Sequence, residues 1–409
     1  MTAQGFVIVG GGLAAAKAAE QARKQGFEGP VVIVGDETLR PYERPPLSKE
    51  VLIGKAKPDT VYVHPQEWYA EHNIELRLGV AVSAIDRESH QVRLADGSEI
   101  GYDKLLLATG ASPRPLPVPG ADANGVHYLR RLSDSEALKN VFAGISRLVV
   151  IGAGWIGLEA TAAARKAGVA VTVVETADLP LLRVLGPEVA QVYADLHRAH
   201  EVDFRFHEQV SEITTDADGV TGVKLADGTE LPADAVLIAV GAAPNTQLAE
   251  QAGLTVDNGI VVDAALRTSD PDIFAAGDAA NAFHPVLGKQ IRVEHWNNAR
   301  RQPVTAIASM LGNESSYQDL PYFYTDQYNL GMEYVGYADP DGYDQVVFRG
   351  DVPGLEFIAF WLKENRVLAG MAVNVWDVVD PIKALILGGQ QVDPEALADP
   401  DKPLDQLVA

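Results

Sequence analysis

The chain has 409 residues, of which 47% are hydrophobic and 22% are charged, and its formal net charge is −23. This size is typical of a folded protein of about two to four domains, and so acidic a chain is unsuited to unspecific binding of nucleic acid, whose phosphate backbone requires a basic surface. The sequence contains no cysteine, which excludes disulfides, cysteine nucleophiles and an iron–sulfur cluster held by the protein's own thiolates.

The first residues carry no basic segment followed by a long apolar one, so we predict no signal peptide. No run of about 18 apolar residues occurs, and we therefore predict no membrane-spanning helix and a cytoplasmic location. The histidines show no spacing typical of metal ligands, so no metal site is predicted.

Two segments show the order strand, glycine-rich turn, helix, strand that defines a βαβ unit. The first has strands at 6–9 and 31–34 around a helix at 14–25, and the second has strands at 147–151 and 169–174 around a helix at 158–167. Each unit is followed by a hairpin signal, Asp96-Gly97 or Asp227-Gly228, and then by a buried strand at 105–110 or 235–241.

The rest of the chain differs from these two units. The proline-rich stretch at 112–119 is predicted to be a linker. Strands at 356–362 and 367–373 indicate an antiparallel C-terminal domain. The acidic, proline-containing tail from Pro394 is expected to be loosely held.

Each βαβ unit carries a dinucleotide-binding motif at its glycine turn. Residues 10–15 fit G-x-G-x-x-G/A, and residues 152–157 fit G-x-G-x-x-G. The first glycine permits the tight turn, the second lets a pyrophosphate approach the backbone, and the third small residue permits close packing of helix and strand. The candidate cofactor-binding residues of the two loops are Gly10, Gly12, Ala14, Ala15, Gly152, Gly154, Ile156 and Gly157, to which we add Gly241 at the end of the later strand.

An acidic residue follows the second strand of each unit, Asp36 in the first and Glu175 in the second. Such carboxylates bind ribose hydroxyl groups. Two dinucleotide sites in one chain favour a hydride transfer between a nicotinamide and a flavin. Glu175 would repel a 2′-phosphate, so NADH is favoured over NADPH.

The segment Thr268–Asp278 (TSDPDIFAAGD) resembles a flavin-binding motif of the FAD-dependent pyridine nucleotide oxidoreductases. In that family the aspartate holds a ribityl hydroxyl, and the helix that follows directs its N-terminus at the pyrimidine end of the flavin. The resemblance gives Asp278 this role. Positive potential at that end stabilises a reduced, anionic flavin.

Within that family, the chain is most similar to the ferredoxin reductases of oxygenase systems, the group of putidaredoxin reductase and the biphenyl dioxygenase reductase component. The segments that carry this similarity are PYERPPLSK at 41–49, YLR at 128–130, VEHWNN at 293–298 and FYTDQYNLGMEYV at 323–335. Disulfide reductases of the family have a redox-active cysteine pair after the first βαβ unit, where this chain has ERPPLSKEVLI. Electrons would therefore pass from the flavin directly to an acceptor.

The resemblance implies an α/β fold with two Rossmann-like, glutathione-reductase-like dinucleotide domains and an α+β C-terminal domain. The implied boundaries are 1–112 with 242–318 for FAD, 113–241 for NAD, and 319–409 for the C-terminal domain.

The resemblance also assigns roles to residues outside the glycine loops. Lys49 and Glu159 would form an ion pair near flavin N5, and they are the candidate catalytic residues. Arg130 and Val82 would contact the FAD phosphates and adenine, and Trp296 would approach the flavin ring. We expect His295 to be a hydrogen-bonded structural residue, since hydride transfer requires no side-chain acid or base.

The implied partner is a small [2Fe-2S] ferredoxin that serves a P450 or a dioxygenase. Ferredoxins of this type are acidic, so docking requires a local basic face. The candidate residues for this face are Lys289, Arg292, Arg300, Arg301 and Lys383. We expect the chain to be a monomer or a weak homodimer.

Three other functions fit the same architecture. The first two are a rubredoxin reductase and an NADH:quinone or diaphorase enzyme; the acidic tail argues against a quinone reductase that binds a membrane. The third is a signalling flavoprotein similar to apoptosis-inducing factor, which would hold a long-lived reduced complex with NAD and turn over slowly.

Overall fold

The computed structural model describes residues 5–407, which form two compact units. Unit 1 contains the chain up to Glu43, Asp59–Ser112 and Ala243–Pro321, and unit 2 contains Arg44–Pro58, Pro113–Ala242 and the chain from Tyr322 onward. The three-domain division given in the sequence analysis remains a prediction.

Unit 1 is built on a five-stranded parallel sheet in the order β19-β7-β1-β2-β3. These strands are β1 (Phe6–Val9), β2 (Val31–Gly35), β3 (Ile74–Leu78), β7 (Lys104–Leu107) and β19 (Ile273–Ala275). Two three-stranded sheets accompany it, one of β4 (Val82–Asp86), β5 (Gln91–Leu94) and β6 (Glu99–Gly101), the other of β18 (Ile260–Val262), β20 (Ala280–His284) and β21 (Lys289–Arg292). The helices of unit 1 are α1 (Leu13–Lys24), α2 (Gln66–Glu71), α6 (Gln247–Gln251) and α7 (Trp296–Met310).

Unit 2 repeats this plan with a parallel sheet in the order β12-β11-β10-β16-β9. These strands are β9 (Val126–His127), β10 (Arg147–Ile151), β11 (Ala170–Val174), β12 (Asp203–Arg205) and β16 (Ala235–Ile238). Its small sheet consists of β13 (Val210–Thr215), β14 (Val220–Leu225) and β15 (Glu230–Pro232), and its first helices are α3 (Leu132–Gly144), α4 (Trp155–Lys166) and α5 (Leu182–Ala199). Both predicted βαβ units are confirmed, although α4 begins earlier than predicted, at Trp155.

The C-terminal part of unit 2 is an antiparallel five-stranded sheet in the order β22-β23-β26-β25-β24. Its strands are β22 (Tyr322–Gln327), β23 (Leu330–Gly336), β24 (Gln345–Asp351), β25 (Glu356–Lys363) and β26 (Arg366–Val373), followed by α8 (Val379–Gly388) and α9 (Pro394–Ala398). Two short strands, β8 (Ala111–Pro113) and β17 (Ala242–Pro244), lie where the chain passes from one unit to the other. The predicted α/β fold with an antiparallel C-terminal portion is confirmed.

The C-terminal tail is held more firmly than its composition suggests. Leu397 of α9 is fully buried, and the guanidinium of Arg349 on β24 donates to the carbonyl groups of Leu397, Asp399, Pro400 and Lys402. The expectation of a loosely held tail is therefore wrong. One arginine donates to four backbone carbonyl groups of the tail, and such contacts cannot be inferred from polar composition. Between residues 5 and 407, no helix is both long and apolar enough to cross a membrane.

Candidate functional site

The second glycine loop joins the central strand β10 to α4 in unit 2. Gly152 has a φ of +101°, and a side chain there would place its Cβ 2.5 Å from the carbonyl oxygen of Ala239. A Cβ on Gly157 would lie 2.3 Å from the carbonyl oxygen of Gly152, so the helix packs directly on the turn. A Cβ on Gly154, by contrast, would meet nothing within 4 Å. The structure thus distinguishes a tight turn, a close packing contact and an open approach to the backbone, which are the three features that a pyrophosphate site requires.

The first glycine loop of unit 1 has the same construction between β1 and α1. Gly10 has a φ of +125° and faces the carbonyl oxygen of Ala108, whereas Gly12 faces open space. Ala15 takes the third position and is fully buried. The N-caps of α1 and α4, Gly12 and Gly154, have no side chain that caps the helix. The first N–H groups of both helices are therefore available to phosphate oxygens.

The carboxylate of Glu175 is fixed beside the second glycine loop. Its Oε2 accepts from the backbone N–H of Ala153 at 2.8 Å, and its Oε1 accepts from the N–H of Ala177 at 3.0 Å and from the hydroxyl of Thr176 at 3.1 Å. These bonds orient the negative charge next to the second glycine loop. In unit 1, Asp36 directly follows β2 and is exposed.

Asp278 lies next to the first glycine loop, in a 3-10 turn that spans Gly277–Ala279 at the end of β19. A Cβ on Gly277 would lie 3.2 Å from the Cβ of Ala14 in the first turn of α1, so Ala14 and this turn are in close contact. The helix that follows Asp278 is α7, which begins at Trp296 after the β20–β21 hairpin. α7 nevertheless reaches the turn, because the side chain of Gln302 accepts from the N–H of Gly277 at 2.8 Å.

Lys49 and Glu159 form a buried ion pair in unit 2, as the resemblance implied. Lys49 Nζ lies 2.6 Å from Glu159 Oε1, and the two side chains are 9% and 4% exposed. Glu159 lies on the first turns of α4, just past the glycine loop, and Lys49 ends the 3-10 turn Pro45–Ser48. The hydroxyl of Ser48 donates to Glu159 Oε2, and the hydroxyl of Thr325 donates to Oε1 at 2.5 Å. Both carboxylate oxygens are thus held by hydrogen bonds from neighbouring side chains.

Aromatic side chains surround this region of unit 2. Trp155, at the start of α4, packs against Tyr193 and Phe323 with ring centroids 5.6 and 5.2 Å apart. The ammonium of Lys49 lies 5.4 Å from the ring centroid of Tyr324. Ile156 remains 43% exposed beside the loop.

The other predicted site residues occupy separate places. In unit 1, Val82 begins β4, and Trp296 begins α7 with the guanidinium of Arg300 4.2 Å from its ring centroid. Burial lowers the pKa of the neighbouring His295 to about 4. In unit 2, the carbonyl of Arg130 accepts from Arg44 Nη1 at 2.5 Å, and Gly241 follows β16 with a φ of +102°. Contact of these residues with a cofactor remains a prediction.

The sequence analysis missed the residues that support Glu159, namely Ser48, Thr325, Gln327 and His197. A signal for two of them exists in β22. Phe323, Thr325 and Gln327 alternate along this strand and all face inward, so two polar side chains occupy positions where period-two alternation calls for apolar ones. Buried polar residues of this kind are paired with one another or serve a site.

Comparison with known proteins identifies the family. Residues 5–303 match the family model described as pyridine nucleotide-disulphide oxidoreductase, and residues 322–408 match the model described as reductase C-terminal. The chain belongs to the pyridine nucleotide-disulphide oxidoreductase family. Its lack of cysteine distinguishes it from the members that act through a protein disulfide.

Relatives match over nearly the whole chain. Putidaredoxin reductase of Pseudomonas putida is 42% identical in an alignment of 408 residues, and the match covers 98% of this chain and 96% of the relative. The ferredoxin–NAD(+) reductase component of the anthranilate 1,2-dioxygenase system of Burkholderia cepacia is 41% identical over 405 residues, with 98% of each chain covered.

The structural comparison agrees. The covalent putidaredoxin reductase–putidaredoxin complex matches with a TM-score of 0.95 and 41% identity over 100% of this chain and 99% of that chain. The ferredoxin reductase of the CYP199A2 system of Rhodopseudomonas palustris matches with a TM-score of 0.95 and 37% identity over 100% of both chains.

Proposed function

We propose that the chain is an FAD-dependent NADH:ferredoxin oxidoreductase that passes electrons singly to a [2Fe-2S] ferredoxin of a P450 or dioxygenase system. The observation that carries this function is the presence of two open glycine loops in a chain without cysteine. One loop follows a strand of the parallel sheet of unit 1, and the other follows a strand of the parallel sheet of unit 2. Relatives that span the whole chain bear the names of ferredoxin reductases. FAD, when bound, would supply a group that can accept the electron pair of a hydride from NADH and release the two electrons singly.

In this proposal, unit 1 binds FAD. The N–H groups at the start of α1 hold the pyrophosphate, Asp36 holds the adenosine ribose, and Asp278 holds the ribityl chain. The contact between Ala14 and the Gly277 turn fixes Asp278 relative to the glycine loop. Val82 and Trp296, which also belong to unit 1, are proposed to complete the site.

Unit 2 binds NADH on the second glycine loop. Glu175 holds the adenosine ribose and excludes a 2′-phosphate, because its charge is anchored by backbone N–H groups and cannot turn away without breaking them. Ile156 and Gly241 are proposed to border the nicotinamide. The Lys49–Glu159 pair is proposed to act at the reacting end, where the ammonium supplies fixed positive charge as hydride arrives.

The docking face for ferredoxin is also a proposal, and the ion pairs of its candidate residues support a choice among them. Carboxylates neutralise three of the five cations: Arg292 pairs with Glu294, Arg301 pairs with Asp319 at 2.5 Å, and Lys383 pairs with Asp380 at 3.3 Å. Arg300 lies over the ring of Trp296, an arrangement that leaves its charge intact. Among these four cations we therefore propose Arg300 as the main one for an acidic partner, and Lys289 stays a candidate beside it.

Rapid mixing of the NADH-reduced holoenzyme with carriers tests the function. A [2Fe-2S] ferredoxin should reoxidise the flavin within turnover time, with two carriers reduced for each NADH, because each carrier accepts one electron. Rubredoxins and quinones serve as competitors. If rubredoxin or quinone is faster than every ferredoxin, or if no carrier restores the oxidised flavin, the proposal is wrong.

Charge reversal tests the docking face. Arg300→Glu should slow ferredoxin reduction and weaken its dependence on salt, while the rate of flavin reduction by NADH stays the same. Arg267→Glu is the matched control, since Arg267 is an exposed arginine of unit 1 whose guanidinium also lies near an aromatic ring, 5.9 Å from the ring centroid of Phe274. Equal losses in the two variants would show that only net charge matters and would exclude a specific contribution of Arg300.

A further inference from the structure

A row of buried polar side chains extends from Glu159 into the interior of unit 2. It comprises Thr325 and Gln327 on β22 and His197 on α5, which are 1%, 1% and 0% exposed. The row ends at the hydroxyl of Tyr328. Burying a polar group costs folding free energy unless its donors and acceptors are hydrogen-bonded. The role of the row therefore depends on the hydrogen-bond partners of each side chain.

Each neighbouring pair in the row is within hydrogen-bond distance. Thr325 Oγ1 donates to Glu159 Oε1 at 2.5 Å, and Gln327 Nε2 donates to Thr325 Oγ1 at 3.2 Å. Gln327 Oε1 lies 2.8 Å from His197 Nε2, and the Tyr328 hydroxyl lies 3.3 Å from His197 Nδ1. The row is therefore continuous from Tyr328 to the carboxylate.

Only one set of donor roles satisfies all these contacts. Burial lowers the pKa of His197 to about 4, so its imidazole is neutral near pH 7 and carries one N–H. An amide oxygen only accepts, so that proton is on Nε2, and Nδ1 accepts from Tyr328. The amide nitrogen of Gln327 then faces Thr325 and donates to its hydroxyl oxygen. Thr325 in turn donates its hydroxyl hydrogen to Glu159.

The same logic fixes the orientation of the carboxylate. Oε1 of Glu159 accepts from Lys49 and Thr325, and Oε2 accepts from Ser48. A rotation of the carboxylate would break bonds at both oxygens. The row therefore determines where the negative charge lies and, through the 2.6 Å contact, where the Lys49 ammonium lies.

We infer that Thr325, Gln327 and His197 are positioning residues for the transfer of hydride from NADH to the flavin, because they hold Glu159 and thereby Lys49 in the reactive arrangement. This inference rests on the proposed function, in which the Lys49–Glu159 pair acts at the reacting end. Charged side chains that are already in place need not move when charge develops in the transition state. The residues that hold them determine their positions.

The test uses the FAD-loaded full-length chain and anaerobic rapid mixing with NADH, with reduction followed by flavin absorbance. Thr325→Val retains the shape and removes the donor; we expect the limiting rate of reduction to fall about tenfold, as for the loss of one hydrogen bond to a charged group. The dissociation constant of NADH should remain unchanged, because Thr325 is proposed to act through Glu159. Thr325→Ser restores a hydroxyl and should restore most of the rate. Gln327→Leu should slow reduction in the same direction by a smaller factor.

Thr161→Val is the matched control. Thr161 lies on α4 close to Glu159 and is fully buried, and its hydroxyl meets no hydrogen-bond partner within the described part of the chain. The same chemical change there should leave the limiting rate unchanged.

Two results would overturn the inference. One is a wild-type limiting rate in both Thr325→Val and Gln327→Leu. The other is a Thr325→Ser variant as slow as Thr325→Val, because packing rather than the hydroxyl would then account for the loss. If NADH failed to reduce the flavin of the unaltered protein, the proposed function itself would fall, and this result is separate from the other two.

Discussion

The buried pair of Lys49 and Glu159 predicts an asymmetric response when either charge is removed. In Glu159→Gln the ammonium of Lys49, whose side chain is 9% exposed, loses the carboxylate 2.6 Å away. It retains the ring of Tyr324, with the centroid at 5.4 Å, and the electrostatic attraction of Asp326. Removing one partner of a buried ion pair costs about 3–5 kcal/mol. In Lys49→Met the carboxylate still accepts from Ser48 and Thr325, so the loss should be at the lower end of that range.

The double variant tests whether the two charges act on each other. Because Lys49→Met with Glu159→Gln removes both charges, it should be less destabilised than the sum of the single variants, with a coupling energy of about 3 kcal/mol. The assay is urea denaturation of the four proteins, followed in parallel by far-ultraviolet circular dichroism and tryptophan fluorescence. Losses that add to within about 0.5 kcal/mol would refute the reasoning, as would a Lys49→Met variant less stable than Glu159→Gln.

Three further predictions address other parts of the chain. Glu175→Gln should raise the ratio of NADPH to NADH activity, because the repulsion of a 2′-phosphate is removed; an unchanged ratio of kcat/KM values would contradict this. The pKa of His197 falls from 6.5 in the unfolded chain to about 4 in the folded protein, so its contribution to stability is present above pH 6.5 and is lost as pH falls toward 4. As the pH falls from 6.5 to about 5, the free energy of unfolding should therefore fall by about 2 kcal/mol less in His197→Gln than in the wild type. Urea denaturation measures both changes, and equal falls in the two proteins would count against this prediction. Arg349→Met should release the tail beyond α9 to limited proteolysis, since four carbonyl contacts are lost; a tail that stays resistant would show that the burial of Leu397 suffices to hold it.

The parts of the fold that the sequence predicted well are those encoded by local signals. The apolar runs 6–9 and 147–151 followed by glycine gave both βαβ units, because a short β-branched run and a glycine turn each restrict the backbone locally. The predicted start of α4 at residue 158 is too late, because Trp155, Ile156 and Gly157 belong to the glycine motif, whose pattern does not distinguish a loop from a first helical turn. In the structure the helix begins at once after Gly154, which brings its N–H groups to the turn.

Contacts between distant segments were harder to predict. α5 contains a break at Gly186, followed by Pro187, and the free carbonyl of Leu185 accepts from the indole N–H of Trp361 at 3.1 Å. Nothing near Gly186 in the sequence indicates that the partner comes from β25. The same holds for Thr325 and Glu159, which belong to segments far apart in the chain and meet only when β22 packs beside α4.

The segment that replaces the cysteine pair of the disulfide reductases explains why the chain can work without sulfur. The turn Pro45–Ser48 is anchored by the hydroxyl of Ser135, which donates to the carbonyl of Leu47 at 2.6 Å, and both Leu47 and Ser48 are buried. A turn held in this way presents Ser48 and Lys49 to Glu159 in one fixed arrangement. The position therefore supplies a fixed charge pair in place of a group that can be oxidised and reduced. Because the chain has no cysteine, electrons on a bound flavin cannot leave through a protein disulfide, and their acceptor lies outside the chain.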